Sequence, residues 1–343
     1  MDDNKLKTFI GVKVGSTYSC AAMLNGAAPK TTVIKSCIAY EKNPMDDVVT
    51  NTIIGTEVDG SIFPLDKGVI ESDDMIEPTS EIVRKLGLPV WSHVVVAVPA
   101  LELINEKNKG KIRLKKALID ALQPTKMVMF PEVYCGAVKS LGYIKIGGRN
   151  QLKAWHSSFL AVNLGSTTTE VLVVIRGNKQ YINAFTDVCG NRVDEELADA
   201  LKNAFGKVII TTPEVKEIKE KFNLTDPGDY TFKVLTKNGM TEISSSLEIT
   251  NVLNQYAYKV AALIKRILTT SLDSEIVAQI LDMPIITTGG MGNITGLVDA
   301  LELQLRKQLN YDGIVCERQI DGHIAPCLGA LMMAPETNWE TVV

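Results

Sequence analysis

Two stretches of this chain repeat one pattern: Phe9-Ile-Gly-Val-Lys-Val-Gly-Ser-Thr-Tyr-Ser19 and Phe159-Leu-Ala-Val-Asn-Leu-Gly-Ser-Thr-Thr-Thr169. Each is an apolar run of β character that ends in Gly-Ser-Thr. That ending is the chemistry of a tight turn whose backbone N–H groups and hydroxyls can hold a phosphate oxygen. One such turn constrains a fold weakly. Two of them, each opening a strand-rich half of the chain, predict a duplicated α/β architecture that closes on a nucleotide from both sides.

The chain's 343 residues exceed what one core usually supports, so two domains are expected. Apolar residues make up 45%, and a net charge of −4 disfavours nucleic-acid binding as the main activity. The six cysteines (Cys20, Cys37, Cys135, Cys189, Cys316, Cys327) show no C-x-x-C spacing, which suits a reducing cytoplasm. The polar, acidic start does not read as a signal sequence, and no apolar run approaches the roughly 20 residues that span a bilayer. A soluble cytoplasmic protein is the expectation.

After the first turn, Cys20–Leu24 reads as a strand, with short β segments around Thr31–Tyr40 and Val48–Gly55. Pro64–Ile70 reads as a turn-rich connection. Thr79–Leu86 looks like a helix start with a Ser/Thr cap followed by Glu81, and Val94–Val98 like a strand buried on both faces. Glu106–Leu122 reads as a helix bearing Lys107, Lys109, Lys111, Arg113, Lys115 and Lys116, either a solvated face or a surface for an acidic partner. Gly147-Gly-Arg-Asn-Gln151 is the best boundary candidate, separating domains at 1–150 and from 151 onward. In the second half, Val193–Phe205 and Thr212–Phe222 read as helices, and Asn238-Gly239 as a hairpin signal. Ile249, Val252, Leu253, Tyr256, Val260, Leu263, Ile264 and Ile267 fall at helical spacing and predict one long buried helix. Thr287-Thr-Gly-Gly-Met-Gly-Asn-Ile-Thr-Gly296 then supplies a third glycine turn between a strand and a helix, where a flat ring or a phosphate can lie against the main chain.

In order and spacing these segments resemble the actin, Hsp70 and sugar-kinase superfamily, and within it the bacterial actins. Gly11–Thr17 stands where that family has its first phosphate loop, Val162–Thr169 where it has the second, and Thr288–Leu297 where it has the adenosine loop. Cys189-Gly-Asn-Arg-Val-Asp194 resembles its Gly-x-x-x-Asp helix start. Ile34-Lys-Ser, Phe63–Ile70, Ala97-Val-Pro-Ala100 and Ala334–Trp339 are more similar to the magnetosome actin (MamK) group than to the cell-shape actin MreB. The resemblance implies an actin-like two-domain fold with duplicated mixed sheets, flanking helices and a nucleotide cleft. Domain I would be 1–150 with a small subdomain at about 32–77. Domain II would be 151–319 with an inserted small subdomain at about 190–248, and 320–343 would return to domain I. The implied ligand is ATP or ADP. Its phosphates would lie against Lys13, Gly15, Ser16 and Thr17 and against Asn163, Gly165, Ser166, Thr167 and Thr168. Its adenosine would lie against Gly289, Gly290 and Gly292, with Gly190 and Asp194 beside it and Lys219 near the ribose. The implied partner is the chain itself, in a filament that organises a cellular structure such as a magnetosome array, together with other actin-like or organelle-associated proteins.

Several positions depart from that family's pattern. Lys13 and Asn163 stand where its two loops carry aspartates that orient the metal's water shell, so Mg²⁺ is not assigned a ligand set. An ammonium there repels the ion and attracts the phosphates. The family's Glu-Pro is here Phe130-Pro131-Glu132, leaving Glu132 as the candidate for positioning the attacking water if the turn shifts by one residue. Thr167 and Met291 replace glycines, and Lys216 stands where a glutamate is expected three positions before Lys219. Three readings remain open: a slow but active filament ATPase, a scaffold or filament subunit with weak or no nucleotide binding, and a non-polymerising partner-binding relative of the pilus-assembly type.

Overall fold

In the computed structural model of the chain, residues 8–25, 28–42, 49–58, 61–65, 70–101, 109–206, 208–236 and 239–339 are described. The start of the chain, Asp66–Val69 of the Phe63–Ile70 motif, Lys107 of the basic helix and Asn238 of the hairpin signal lie outside the described residues.

Strand β1 (Phe9–Val14) is the axis of one sheet. β2 (Tyr18–Asn25) and then β3 (Ala28–Lys35) continue antiparallel from one of its edges, while β6 (His93–Val98) and then β7 (Lys126–Pro131) continue parallel from the other. β10 (Phe159–Leu164) is the axis of a second sheet with the same plan. β11 (Thr169–Ile175) lies antiparallel beside it with β12 (Asn178–Phe185) beyond, and β16 (Ile285–Thr288) and β17 (Cys316–Arg318) follow in parallel on the other side. The duplication read from the two Gly-Ser-Thr segments is therefore a duplication of whole mixed sheets. A strand paired along both edges and covered on both faces has no solvent side, which is why His93-Val-Val-Val-Ala-Val98 is buried at every residue. Smaller antiparallel pieces are β4 (Ile38–Lys42) with β5 (Val49–Ile54), β8 (Tyr143–Ile146) with β9 (Arg149–Leu152), and β13 (Val208–Ile209), β14 (Thr231–Thr236) and β15 (Gly239–Ser244).

By contact density the chain divides into two units. One runs to Ser157 and takes in Ile182–Ala184 and the segment from His323 onward; the other is Ser158–Tyr181 with Phe185–Gly322. Gly147 and Gly148, read from sequence as a linker, instead form the turn between β8 and β9. Both hold positive φ (58° and 80°), the geometry such a two-residue hairpin turn requires, and the chain changes unit a few residues later.

In the first unit, α1 (Ile76–Lys85) packs on α2 (Lys109–Leu122), and α3 (Glu132–Leu141) follows β7 directly. The sequence places a capped helix start at Thr79, but α1 begins at Ile76. Thr79 and Ser80 sit inside it, and their hydroxyls donate to the carbonyls of Met75 and Ile76 at 2.7 and 3.0 Å. The second unit holds α4 (Gly190–Phe205), α5 (Thr212–Lys221), α6 (Ser246–Thr270), α7 (Ser274–Leu281) and α8 (Leu297–Leu309). α6 is the long helix predicted by periodicity, and all eight residues of its apolar stripe are buried. α5 starts with a capping box between Thr211 and Glu214.

Helix α9 (Ala325–Met333) closes the first unit by packing on β1 and α3. Two glycines permit that approach. A Cβ on Gly11 would strike the Cys327 carbonyl oxygen and the Leu331 amide, and one on Gly329 would strike the Cys135 carbonyl oxygen. Because backbone rather than a movable side chain lies in the way, Gly11→Ala and Gly329→Ala are each expected to cost on the order of 1–3 kcal/mol. Gly290→Ala, whose Cβ would meet nothing within 4 Å, should cost little. Urea unfolding of the three variants beside the parent chain checks this.

Candidate functional site

The turn after β1 is tight. A Cβ on Gly15 would lie 2.8 Å from the Tyr18 carbonyl oxygen and 3.1 Å from both Cε and Nζ of Lys13, so the lysine side chain rests against the turn. Ser16 and Thr17 are half-buried at its tip, and the Thr17 carbonyl accepts the Ser36 amide at 2.9 Å. Lys13 is the one charged residue of β1 and is only 8% exposed. Its ammonium donates to the His323 carbonyl at 3.3 Å and lies 3.6 Å from Oε2 of Glu132. Glu132, itself 6% exposed, is the first residue of α3, where unpaired amides favour an anion.

The turn after β10 repeats this construction. The Gly165 amide donates to the Thr168 carbonyl at 2.9 Å, and a Cβ on Gly165 would lie 2.6 Å from that oxygen. Asn163 occupies the position of Lys13 in the repeat. It pairs in register with Glu170 as Lys13 does with Cys20. Behind the turn, the Thr169 hydroxyl and the Tyr256 hydroxyl of α6 are 3.2 Å apart, and full burial pushes the Tyr256 phenol well above its ordinary range.

Three sequence-distant segments meet at this second turn. The amides of Gly190 and Asn191, opening α4, donate to the carbonyls of Gly165 and Ser166 at 3.0 and 2.7 Å. Gly190 is hemmed in so closely that a Cβ would lie 3.0 Å from Sδ of Met291 and 3.1 Å from Cα of Ser166. Gly289, at φ 93°, donates its amide to the Gly322 carbonyl at 3.1 Å and leaves no room for a Cβ beside Leu164 and Asn163. Gly290 and Gly292 differ from it: added Cβ atoms there would meet nothing. The protein's own packing explains Gly289 and leaves open space over Gly290 and Gly292.

Lys219 of α5 points to the same helix start. Its ammonium lies 2.6 Å from Oδ1 of Asp194 and donates to the Gly190 carbonyl at 3.2 Å; both side chains of the pair are about nineteen-twentieths buried. Burial holds the Asp194 carboxyl above the ordinary carboxylate range, and Lys219 opposes that shift. Beside the pair, a cavity of about 520 Å³ opens between α4 and α5, lined by Asn191, Asp194, Ala198, Thr212, Val215 and Lys216 among others.

With both turns placed, comparison with known proteins assigns the family. The Salactin family model matches residues 7–338, nearly the whole chain. The chain belongs to the Salactin family. Salactin of Halobacterium salinarum is 28% identical over 324 residues, covering 88% of this chain and 85% of the relative. Among solved structures, the MamK double helical filament has a TM-score of 0.76 at 19% identity and covers 97% of this chain and 100% of its own. MreB5 of Spiroplasma citri bound to ADP has a TM-score of 0.74 at 16% identity, covering 96% and 97%. The fold is actin-like, and the resemblance to the bacterial actins, MamK among them, stands.

Neither turn carries a carboxylate at the two equivalent strand positions, Lys13 and Asn163. At the two loop positions stand an ammonium and a neutral amide, and among the described residues no group of three or more His, Cys, Asp or Glu could hold a metal ion. These residues do not fit a divalent cation. Sequence reasoning also missed Glu170, a fully buried acid in the otherwise apolar strand Thr169-Glu-Val-Leu-Val-Val-Ile175. A lone charge in such a strand was the available signal. Among the described residues no helix is long and apolar enough to cross a membrane.

The buried pair makes a prediction with a definite pH dependence. Lys219→Met leaves Asp194 buried without its cation and is expected to cost on the order of 3–5 kcal/mol at neutral pH. Because the folded-state pKa of Asp194 is raised, the native state takes up its proton before the unfolded chain does. The penalty should therefore shrink as pH falls through that raised value, where the neutral acid needs no cation. Unfolding curves of the variant and parent across the acid range, with Asp194→Asn/Lys219→Met as the compensated control, check this.

Proposed function

We propose that this chain is a nucleotide-binding, filament-forming actin-like subunit that organises a cellular structure and hydrolyses ATP weakly or not at all. The observation that carries the reading is the convergence in the second unit of the Gly165–Thr168 turn, the start of α4 and the Gly289–Gly292 turn, with open space left over Gly290 and Gly292. The same turn geometry recurs at Gly15. A nucleotide's phosphates would lie against Gly15–Thr17 and Gly165–Thr168, and its adenosine against Gly290 and Gly292. Asp194 and Lys219 would support the wall beside the sugar. MamK is solved as a filament and MreB5 with ADP, which supports assembly and nucleotide binding here by likeness of fold. That likeness supports a filament rather than a magnetosome role in particular.

Weak hydrolysis follows from the site's charges. Lys13 and Asn163 supply no carboxylate for a metal's water shell, and Glu132 faces the Lys13 ammonium. Losing one preorganised catalytic group commonly costs on the order of 10²–10³ in rate. Assembly needs only a compatible subunit shape and a non-closing contact between copies. Electron microscopy of the purified chain with ATP, ADP, a non-hydrolysable analogue or no nucleotide is expected to show filaments that do not require turnover. Phosphate release should run at least ~100-fold below a cell-shape actin measured alongside it. Nucleotide-driven cycles of assembly and disassembly with rapid phosphate release abolished by Glu132→Ala would establish the active ATPase instead. Absence of filaments under every condition would favour the partner-binding reading.

A further inference from the structure

The first turn carries its own cation. The Lys13 side chain lies against Gly15, so close that a Cβ there would sit 3.1 Å from the ammonium, which also lies 3.6 Å from Glu132 and 3.3 Å from the His323 carbonyl. Both separations exceed the roughly 2.7–2.9 Å of a strong charge-assisted hydrogen bond. A phosphate oxygen on the turn would make a shorter contact with this ammonium than Glu132 or the His323 carbonyl does.

We propose that Lys13 takes the place of a divalent cation, so that the chain binds nucleoside polyphosphate in metal-free form. The inference rests on the nucleotide reading above and specifies its ionic form. A buried ammonium beside the turn supplies positive charge where phosphates arrive, and in a low-dielectric site it raises the electrostatic cost of a second cation close by. Glu132 neutralises Lys13 while the turn is empty, which makes the burial of an ammonium tolerable. When phosphate binds, the cation is shared between Glu132 and the ligand. Glu132 acts in this scheme as a positioning residue for Lys13.

Isothermal titration of the full chain with ATP, in excess MgCl₂ and in excess EDTA, tests this. The expected result is an affinity at least as high in EDTA as in MgCl₂, where magnesium holds most of the ATP as its complex. Lys13→Asp, which sets a second carboxylate beside Glu132, should bind at least ~10-fold more weakly in EDTA and recover in MgCl₂. Lys13→Gln, free of that new carboxylate pair, serves if the aspartate variant fails to fold. It should weaken binding in both buffers without gaining rescue by magnesium. A parent chain whose affinity falls tenfold or more in EDTA overturns metal independence while leaving the nucleotide reading intact. Variants that bind in EDTA as well as the parent overturn the role of Lys13. No binding in either buffer at millimolar ATP overturns both readings.

Discussion

Each half of this molecule is arranged around one strand that is hydrogen-bonded along both edges, antiparallel on one side and parallel on the other. That constraint fixes much else. The antiparallel neighbour must return through a tight turn, and the turn glycine must lie almost against the carbonyl three residues on, at Tyr18 in one half and Thr168 in the other. The parallel neighbours can be reached only through crossovers, which is where the helices arise. Backbone amides at the turn, helix starts beside it and loops at the ends of parallel strands are then gathered at the same end of the sheet. That gathering of amides, helix starts and loops is thus a by-product of how β1 and β10 are paired.

Much of this was legible in the chain because it is local. The β1 and β10 runs, the buried β6 strand and the apolar stripe of α6 follow from periodicities that any short window contains. The start of α1 was misplaced because Thr79 and Ser80 have the chemistry of caps and equally that of residues bonding back to the preceding turn. Gly147-Gly148 likewise carries the composition of a linker and of a hairpin turn, and only the pairing of β8 with β9 decides between them. At the candidate site, the glycines and hydroxyls of the turns could be named in advance. The pairing of Lys13 with Glu132 and of Lys219 with Asp194 could not, since residues far apart in sequence leave no spacing to read. The distinction between Gly289, which packing demands, and Gly290 and Gly292, which it does not, is likewise set by residues distant in sequence.

The two buried ion pairs play different parts. Lys219 and Asp194 make a close contact inside the second unit, with the lysine also satisfying the Gly190 carbonyl at the helix start. That geometry is suited to holding α5 against α4. Lys13 and Glu132 stand farther apart, with the lysine lying along the turn itself. One pair is a brace and the other a poised charge. The substitution at Lys13 thus comes with a buried counter-charge of its own.

The packing of α9 on β1 has a consequence for how the chain can be made. Lys13 and the His323 carbonyl that receives it are 310 positions apart, and nearly the whole second unit is threaded between them. During synthesis from the N-terminus, the face of β1 at Gly11 stays uncovered while that unit is translated, and Lys13 lacks its backbone acceptor for the same interval. The inner unit, almost continuous in sequence, can complete its core while the outer one waits. A ribosome pausing before α9 would hold a chain with one finished half and one open half, its apolar sheet face accessible to a chaperone.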